Sequence, residues 1–154
     1  MHRKQALWMS AVSGCVWAII ALAVSFLVST PTLGLGLGRV VLGCAGGIIA
    51  APLIGLLTGP VSRIFGYFEE VFLRVIVAGA SLYVAMVLFI IASFLTQFVV
   101  LNVRLPANPW TSIFGGAAAA FELTCIVLWP LAYLNHTLIS RLWVPPLPRS
   151  AVIS

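Results

Sequence analysis

Long apolar stretches with almost no charge dominate the pattern of hydrophobic and polar residues along the chain. A bilayer core of about 30 Å needs about 20 apolar residues in a helix, and four stretches meet that length. They cover residues 7–29, 33–58, 71–101 and 112–134. The pattern therefore predicts an all-α membrane protein in which four transmembrane helices form an antiparallel bundle.

The composition agrees with a lipid environment. Of the 154 residues, 62% are hydrophobic and 7% are charged, whereas soluble domains are about 25% charged. We therefore expect one polytopic membrane domain, residues 1–154, without a separate soluble domain. The first apolar run is too long for the core of a signal peptide and is interpreted as a retained span.

The basic residues predict the orientation of the bundle. Because the number of spans is even, both termini lie on one side, and that side would hold Arg3, Lys4, Arg63, Arg74, Arg141 and Arg149. The opposite side would hold Arg39 and Arg104. Lys and Arg accumulate on the cytoplasmic side of membrane proteins. We expect cytoplasmic termini, in a bacterial inner membrane or an equivalent energy-transducing membrane, and no interaction with nucleic acid despite the net charge of +5.

Small residues recur at every fourth position of the second span. They are Gly43, Gly47, Ala51, Gly55 and Gly59. Residues four apart lie on neighbouring positions of a helix, and small residues let helix backbones approach closely in lipid. The repeat favours packing against another span of the same chain. A docking groove for a second copy or a partner helix is the main alternative, and a glycine-lined substrate path is the third.

The connection after the second span is predicted to be a short helix of its own. Gly59 and Pro60 are expected to end the second transmembrane helix, because proline disrupts a helix interior. The following residues, 61–71, alternate apolar and charged side chains at helical spacing, which is typical of a helix at the membrane surface. The proline-rich tail, 144–154, is expected to be extended.

The third span carries a second seam of small residues. Ala78, Ala85 and Ala92 are spaced seven residues apart, a repeat that keeps side chains facing one neighbour in a left-handed crossing. We expect this seam to pack against another helix.

The fourth span is predicted to carry a polar stripe around an acidic residue. The stripe comprises Glu122, Cys125, Trp129 and Tyr133. An acid in the middle of a span is costly and is a functional hypothesis by default. Three interpretations stay open. Glu122 could be a structural acid bonded to Ser13, Ser81 or Tyr83, a contact to another subunit or a cofactor, or a proton- or cation-coupling site.

The sequence supplies no recognisable catalytic or metal-binding set. It contains no Asp and only two histidines, His2 and His136, whereas catalysis needs several groups converging on one reacting atom. No catalytic residue, metal ligand or cofactor is predicted. His136 is a weak candidate for a haem or pigment ligand shared with a partner. Its ordinary interpretation is a histidine at the inner interface that reaches water.

Two functions of different classes remain. The first is a non-catalytic structural or accessory subunit of a larger integral membrane complex, which packs through its small-residue helix faces against subunits of its own or another kind. The alternative is a small proton- or cation-coupled transporter that works as a homo-oligomer, with Glu122 as the coupling acid. A lipid-phase binding or assembly factor has the same sequence features as the first.

Overall fold

The chain folds into four long helices. The computed structural model describes residues 2–33, 37–102, 104 and 106–143, and no strand occurs in this part of the chain. The helices are α1 (His2–Leu33), α2 (Leu37–Phe65), α3 (Val71–Leu101) and α4 (Pro109–Trp143). The predicted tail lies outside the described residues.

Each helix is long and apolar enough to cross a membrane. The spans are Lys4–Leu27, Val40–Phe65, Val71–Val99 and Pro109–Leu142. The prediction of an all-α fold with four helices that could each span a membrane is confirmed for the described residues. Helix α3 coincides with its predicted span. The predicted start of the second span, Leu33, belongs to α1, and α2 begins at Leu37. Helices α1, α2 and α4 end beyond their predicted spans, most clearly α4, because polar residues near a helix end can continue the helix after the apolar run stops.

The predicted break after the second span is wrong. Helix α2 continues through Gly59 and Pro60 to Phe65. The residues assigned to a separate surface helix are instead the last turn of α2, a turn at 66–67 and a non-helical segment at 68–70.

Tertiary packing explains why α2 continues past its proline. Proline costs a helix one backbone hydrogen bond, here to the carbonyl group of Leu56. The turn beyond Pro60 buries Ser62 and Phe65, each only 1% exposed. The apolar side of this turn thus faces the interior of the bundle, and burial of Phe65 offsets the lost bond.

Helix α2 lies between α1 and α3, and α1 and α3 hardly touch each other. On the α1 side, Gly14 faces the backbone of Ala51 and Gly55, and Gly55 faces the carbonyl oxygen of Ser10. Gly59 lies against the Ser10 side chain. An added methyl group at Gly14 or Gly55 would overlap the backbone of the other helix, so this crossing depends on glycine.

Other small residues of α2 meet α3. Gly46 lies against the carbonyl oxygen of Ala92, and Gly47 lies against the ring of Phe89. The backbone N–H of Gly47 donates to Ser93 Oγ at 3.3 Å. Close backbone approach and a hydrogen bond thus hold this second crossing together.

The predicted line of small residues on α2 is therefore divided between two neighbours. Gly43 and Gly47 face α3, whereas Ala51, Gly55 and Gly59 face α1. The physical reason is helical drift, since four residues turn the helix by about 400°, or 40° past one full turn. Over the four steps from Gly43 to Gly59 the direction changes by about 160°. One repeat thus serves both sides of the helix.

The seam of α3 faces the interior. Ala78 is fully buried in a cluster with Phe65, Leu82, Leu128 and Ala132. Ala85 is half-buried beside a cavity between the helices, and the carbonyl group of Ala92 meets Gly46. Helix α4 packs over this side of α3 and completes the bundle.

The α1–α2 crossing gives a direct stability test. We expect Gly55→Ala to destabilise the protein by about 1–3 kcal/mol, because the new methyl group meets the backbone of α1. The matched control is Gly38→Ala, whose methyl group would have no atom within 4 Å. Gly38 is the second residue of α2 and Gly55 lies in its interior, so alanine gains more helix propensity at position 55, and a lower unfolding temperature of Gly55→Ala would come from the overlap with α1. Thermal unfolding in detergent, followed by tryptophan fluorescence, should separate them, and equal unfolding temperatures would contradict this packing.

Candidate functional site

Glu122 lies on the outside of the bundle. It belongs to the span Pro109–Leu142, and its side chain is exposed rather than directed at another helix. Within the described part of the chain, its carboxyl group forms no hydrogen bond or ion pair. The interpretation of Glu122 as an acid bonded to a neighbouring helix of the same chain is therefore not supported by these contacts.

The other three residues of the predicted polar stripe form contacts within the chain. Cys125 Sγ donates to the backbone oxygen of Glu122 at 3.5 Å. Trp129 Nε1 donates to the carbonyl oxygen of Val75 on α3 at 2.7 Å. Tyr133 packs edge-on against Phe65, with ring centroids 5.4 Å apart. Only Glu122 is left facing outward.

Uncharged residues, two of them small, share the outer side of α4 with Glu122. Gly115, Ala119 and Ile126 are exposed and share its helical face. A methyl group built on Gly115 would meet no atom within 4 Å, and Ile126 is 84% exposed. We call Gly115, Ala119, Glu122 and Ile126 the Glu122 face.

Sequence reasoning missed the Glu122 face as a unit. The spacing of Gly115 and Ala119 by four residues is the signal that could have found it, because it is the same close-packing pattern as in α2. The pattern alone does not say which side of α4 is turned away from the bundle.

His136 lies in the interior instead of at a water-facing interface, so its ordinary interpretation is wrong. It is 4% exposed. The distance between His136 Nδ1 and Ser62 Oγ is 2.8 Å, and the imidazole ring stacks on Phe65 with centroids 5.5 Å apart. The physical reason is that α4 continues to Trp143, which leaves His136 well within the helix.

A cavity of about 410 Å³ lies between the helices. Its wall is mostly apolar, and its polar lining residues include Ser13 of α1, Thr58 of α2, and Asn135 and His136 of α4. Ser13 Oγ donates to Asn135 Oδ1 at 2.9 Å and ties α1 to α4 there. Farther along, Gln97 Nε2 donates to the carbonyl oxygen of Gly43 at 2.7 Å.

Glu122 does not line this cavity. The most polar region of the interior and the acidic residue are thus separate features of the molecule, and each has to be interpreted by itself. Of the three cysteines, Cys15 is exposed, and Cys44 and Cys125 are half-buried, all as free thiols. The described residues contain no group of three potential metal ligands.

Comparison with known proteins finds no matching family model, no similar curated protein and no similar solved structure. The function must therefore be inferred from the residues and contacts of this chain.

The hydrogen bond of Trp129 can be tested by removing its donor. We expect Trp129→Phe to lower the free energy of unfolding by about 1 kcal/mol, because the N–H bond to Val75 is lost. Trp8→Phe is the matched control, since Trp8 is 70% exposed. Equilibrium unfolding of both variants in detergent measures the difference, and equal stabilities would show that the bond contributes nothing.

Proposed function

We propose that this protein is a non-catalytic structural or accessory subunit of a larger integral membrane complex, and that it meets its partner through the Glu122 face. The observation that carries the proposal is the position of Glu122, which is exposed within a span and unpaired within the described chain. A charged side chain facing lipid at the helix centre costs about 3 kcal/mol on insertion scales. A hydrogen-bond donor or cation from another chain would offset that cost.

The surroundings of Glu122 suit a helix as the partner. Gly115 and Ala119 form a shallow surface that leaves room for a second backbone. The small residues of α2, by contrast, already contact α1 and α3. The partner contact is therefore proposed for α4 instead of for the predicted groove on α2. The partner can be a second copy or a different subunit.

Transport with Glu122 as the coupling acid has weaker support. Coupling needs an acid that faces a hydrated path, and Glu122 does not line the cavity of the bundle. A homo-oligomeric transporter would have to form its path between copies, at the Glu122 face itself. Assembly into a complex needs no such additional cavity.

We also propose an antiparallel bundle with cytoplasmic termini. Contacts between successive helices support the antiparallel order, because Gly14 meets Ala51 while Ser10 meets Gly59. The same inverse order relates Gly43–Gln97 and Gly47–Ser93. The excess of Lys and Arg on the side of the termini supports the orientation. The membrane is proposed to be a bacterial inner membrane or an equivalent energy-transducing one.

Cysteine labelling tests the orientation. In a variant lacking the three native cysteines, Ala107→Cys probes the α3–α4 connection and Glu69→Cys probes the α2–α3 connection. Both positions are exposed. A membrane-impermeant maleimide should label position 107 in intact spheroplasts and position 69 only after permeabilisation. The reverse pattern would contradict the proposed topology.

Native mass spectrometry of the protein released from its own membrane tests the role of Glu122. We expect Glu122→Leu to weaken partner binding at least tenfold and so to lower the partner-bound fraction, because a loss of about 1.4 kcal/mol in pairing energy raises the Kd by that factor. Glu122→Gln should retain the partner, because an amide can still form hydrogen bonds.

Glu69→Leu is the control, since it makes the same substitution as Glu122→Leu at an exposed site outside the spans. Wild-type amounts of partner with Glu122→Leu would contradict the proposal. Loss of proton-coupled flux with Glu122→Gln, while assembly is retained, would instead favour transport.

A further inference from the structure

The interior cavity has an unpaired polar atom in its wall. His136 lines the cavity and is 4% exposed. Its Nδ1 atom is paired with Ser62, whereas Nε2 has no hydrogen-bond partner within the described chain. A buried polar atom without a partner costs free energy, so this end of the cavity favours an occupant that can pair with it.

A second free polar group belongs to Asn135, the residue before His136 on α4. Asn135 also lines the cavity, and its Oδ1 accepts the hydrogen bond from Ser13. Its amide N–H groups have no partner within the part of the chain that the structure describes. An occupant would thus meet a hydrogen-bond donor from Asn135 beside the imidazole of His136.

The rest of the cavity wall is mostly apolar, and the polar Gln97 and Ser93 there donate to the backbone oxygens of Gly43 and Phe89. Trp17, Leu82, Met86 and Phe89 contribute to its wall, and the volume of about 410 Å³ lies in the range of ligand sites, about 300–1,000 Å³. The helices around the cavity are apolar enough to span a membrane, so lipid is the phase from which an occupant would come. The occupant is therefore a molecule that partitions into lipid and has one polar end.

A hydroxyl group can pair with the polar end in either tautomer of His136, whereas a carbonyl group can pair with His136 in only one. The hydroxyl oxygen accepts from Asn135, and the hydroxyl hydrogen can be donated to His136 Nε2. If the imidazole carries its proton on Nε2 instead, the hydroxyl oxygen accepts that bond as well. We propose that this cavity binds a lipid-soluble alcohol, with the hydroxyl group at Asn135 and His136 and the apolar body along α2 and α3.

This site is independent of the Glu122 face, because Glu122 is not among the cavity residues. Loss of the ligand and loss of the partner are therefore separable results.

Competition binding tests the proposal, with farnesol as the probe and farnesene as its counterpart without the hydroxyl group. The full chain in nanodiscs is loaded with tritiated farnesol, empty nanodiscs supply the background, and each unlabelled compound is used as competitor. We expect farnesol to compete at least fivefold better than farnesene, because one hydrogen bond alone has about that effect and the hydroxyl group would form two. Absence of saturable binding, or equal competition by both compounds, would overturn the proposal.

Two variants separate hydroxyl recognition from general packing. His136→Phe keeps an aromatic ring on Phe65 but removes Nε2, and it should reduce the preference for farnesol about fivefold, because only the bond to Asn135 then remains. Ser62→Ala breaks the same Ser62–His136 bond and leaves Nε2 in place, so it should keep the preference. The proposal is wrong if the two variants behave alike.

A third variant tests the location of the site. Ala85 lines the cavity, so Ala85→Leu should reduce the binding of farnesol and farnesene together, at least severalfold, by filling the space. Unchanged binding of both compounds would place them outside the cavity and contradict the proposal.

Discussion

Close backbone contact on two sides of α2 is the constraint on which the bundle depends. Lipid supplies no hydrophobic force between helices, so van der Waals packing and interhelical hydrogen bonds have to hold them together. Gly14 of α1 and Gly55 of α2 provide such contact between these two helices, and Gly46 of α2 provides it with α3. Helices α1 and α3 hardly contact each other, and residues of all four helices line the cavity in the bundle.

The pairing of polar groups in the spans distinguishes structural residues from those that point to another molecule. Trp129 bonds to α3, and Ser13 bonds to Asn135 across two helices. These bonds stabilise the bundle and need nothing from outside. Glu122 and His136 Nε2 lack such partners within the described chain. One faces outward and the other faces the cavity, so the proposed subunit partner and the proposed ligand lie at separate places.

The sequence predicted the number and type of helices well, because apolar length alone determines whether a helix can span a bilayer. The sequence predicted less about which neighbouring helix each helix face contacts. The repeat from Gly43 to Gly59 was interpreted as one face, yet its drift of about 160° divides it between two neighbours. The helix break at Pro60 was wrong because tertiary burial of Phe65 outweighs a local proline effect. The outward position of Glu122 depends on how α4 packs, which its own periodicity cannot specify.

Photocrosslinking in the native membrane tests the central claim most directly, namely that the Glu122 face meets another protein. A benzophenone amino acid is introduced at Ile126, which is on this face, or at Ile49, which is 78% exposed on α2. The account predicts a discrete protein adduct from position 126 that disappears with Glu122→Leu, and only lipid adducts from position 49. Lipid adducts alone from position 126, or the same protein adduct from both positions, would contradict it.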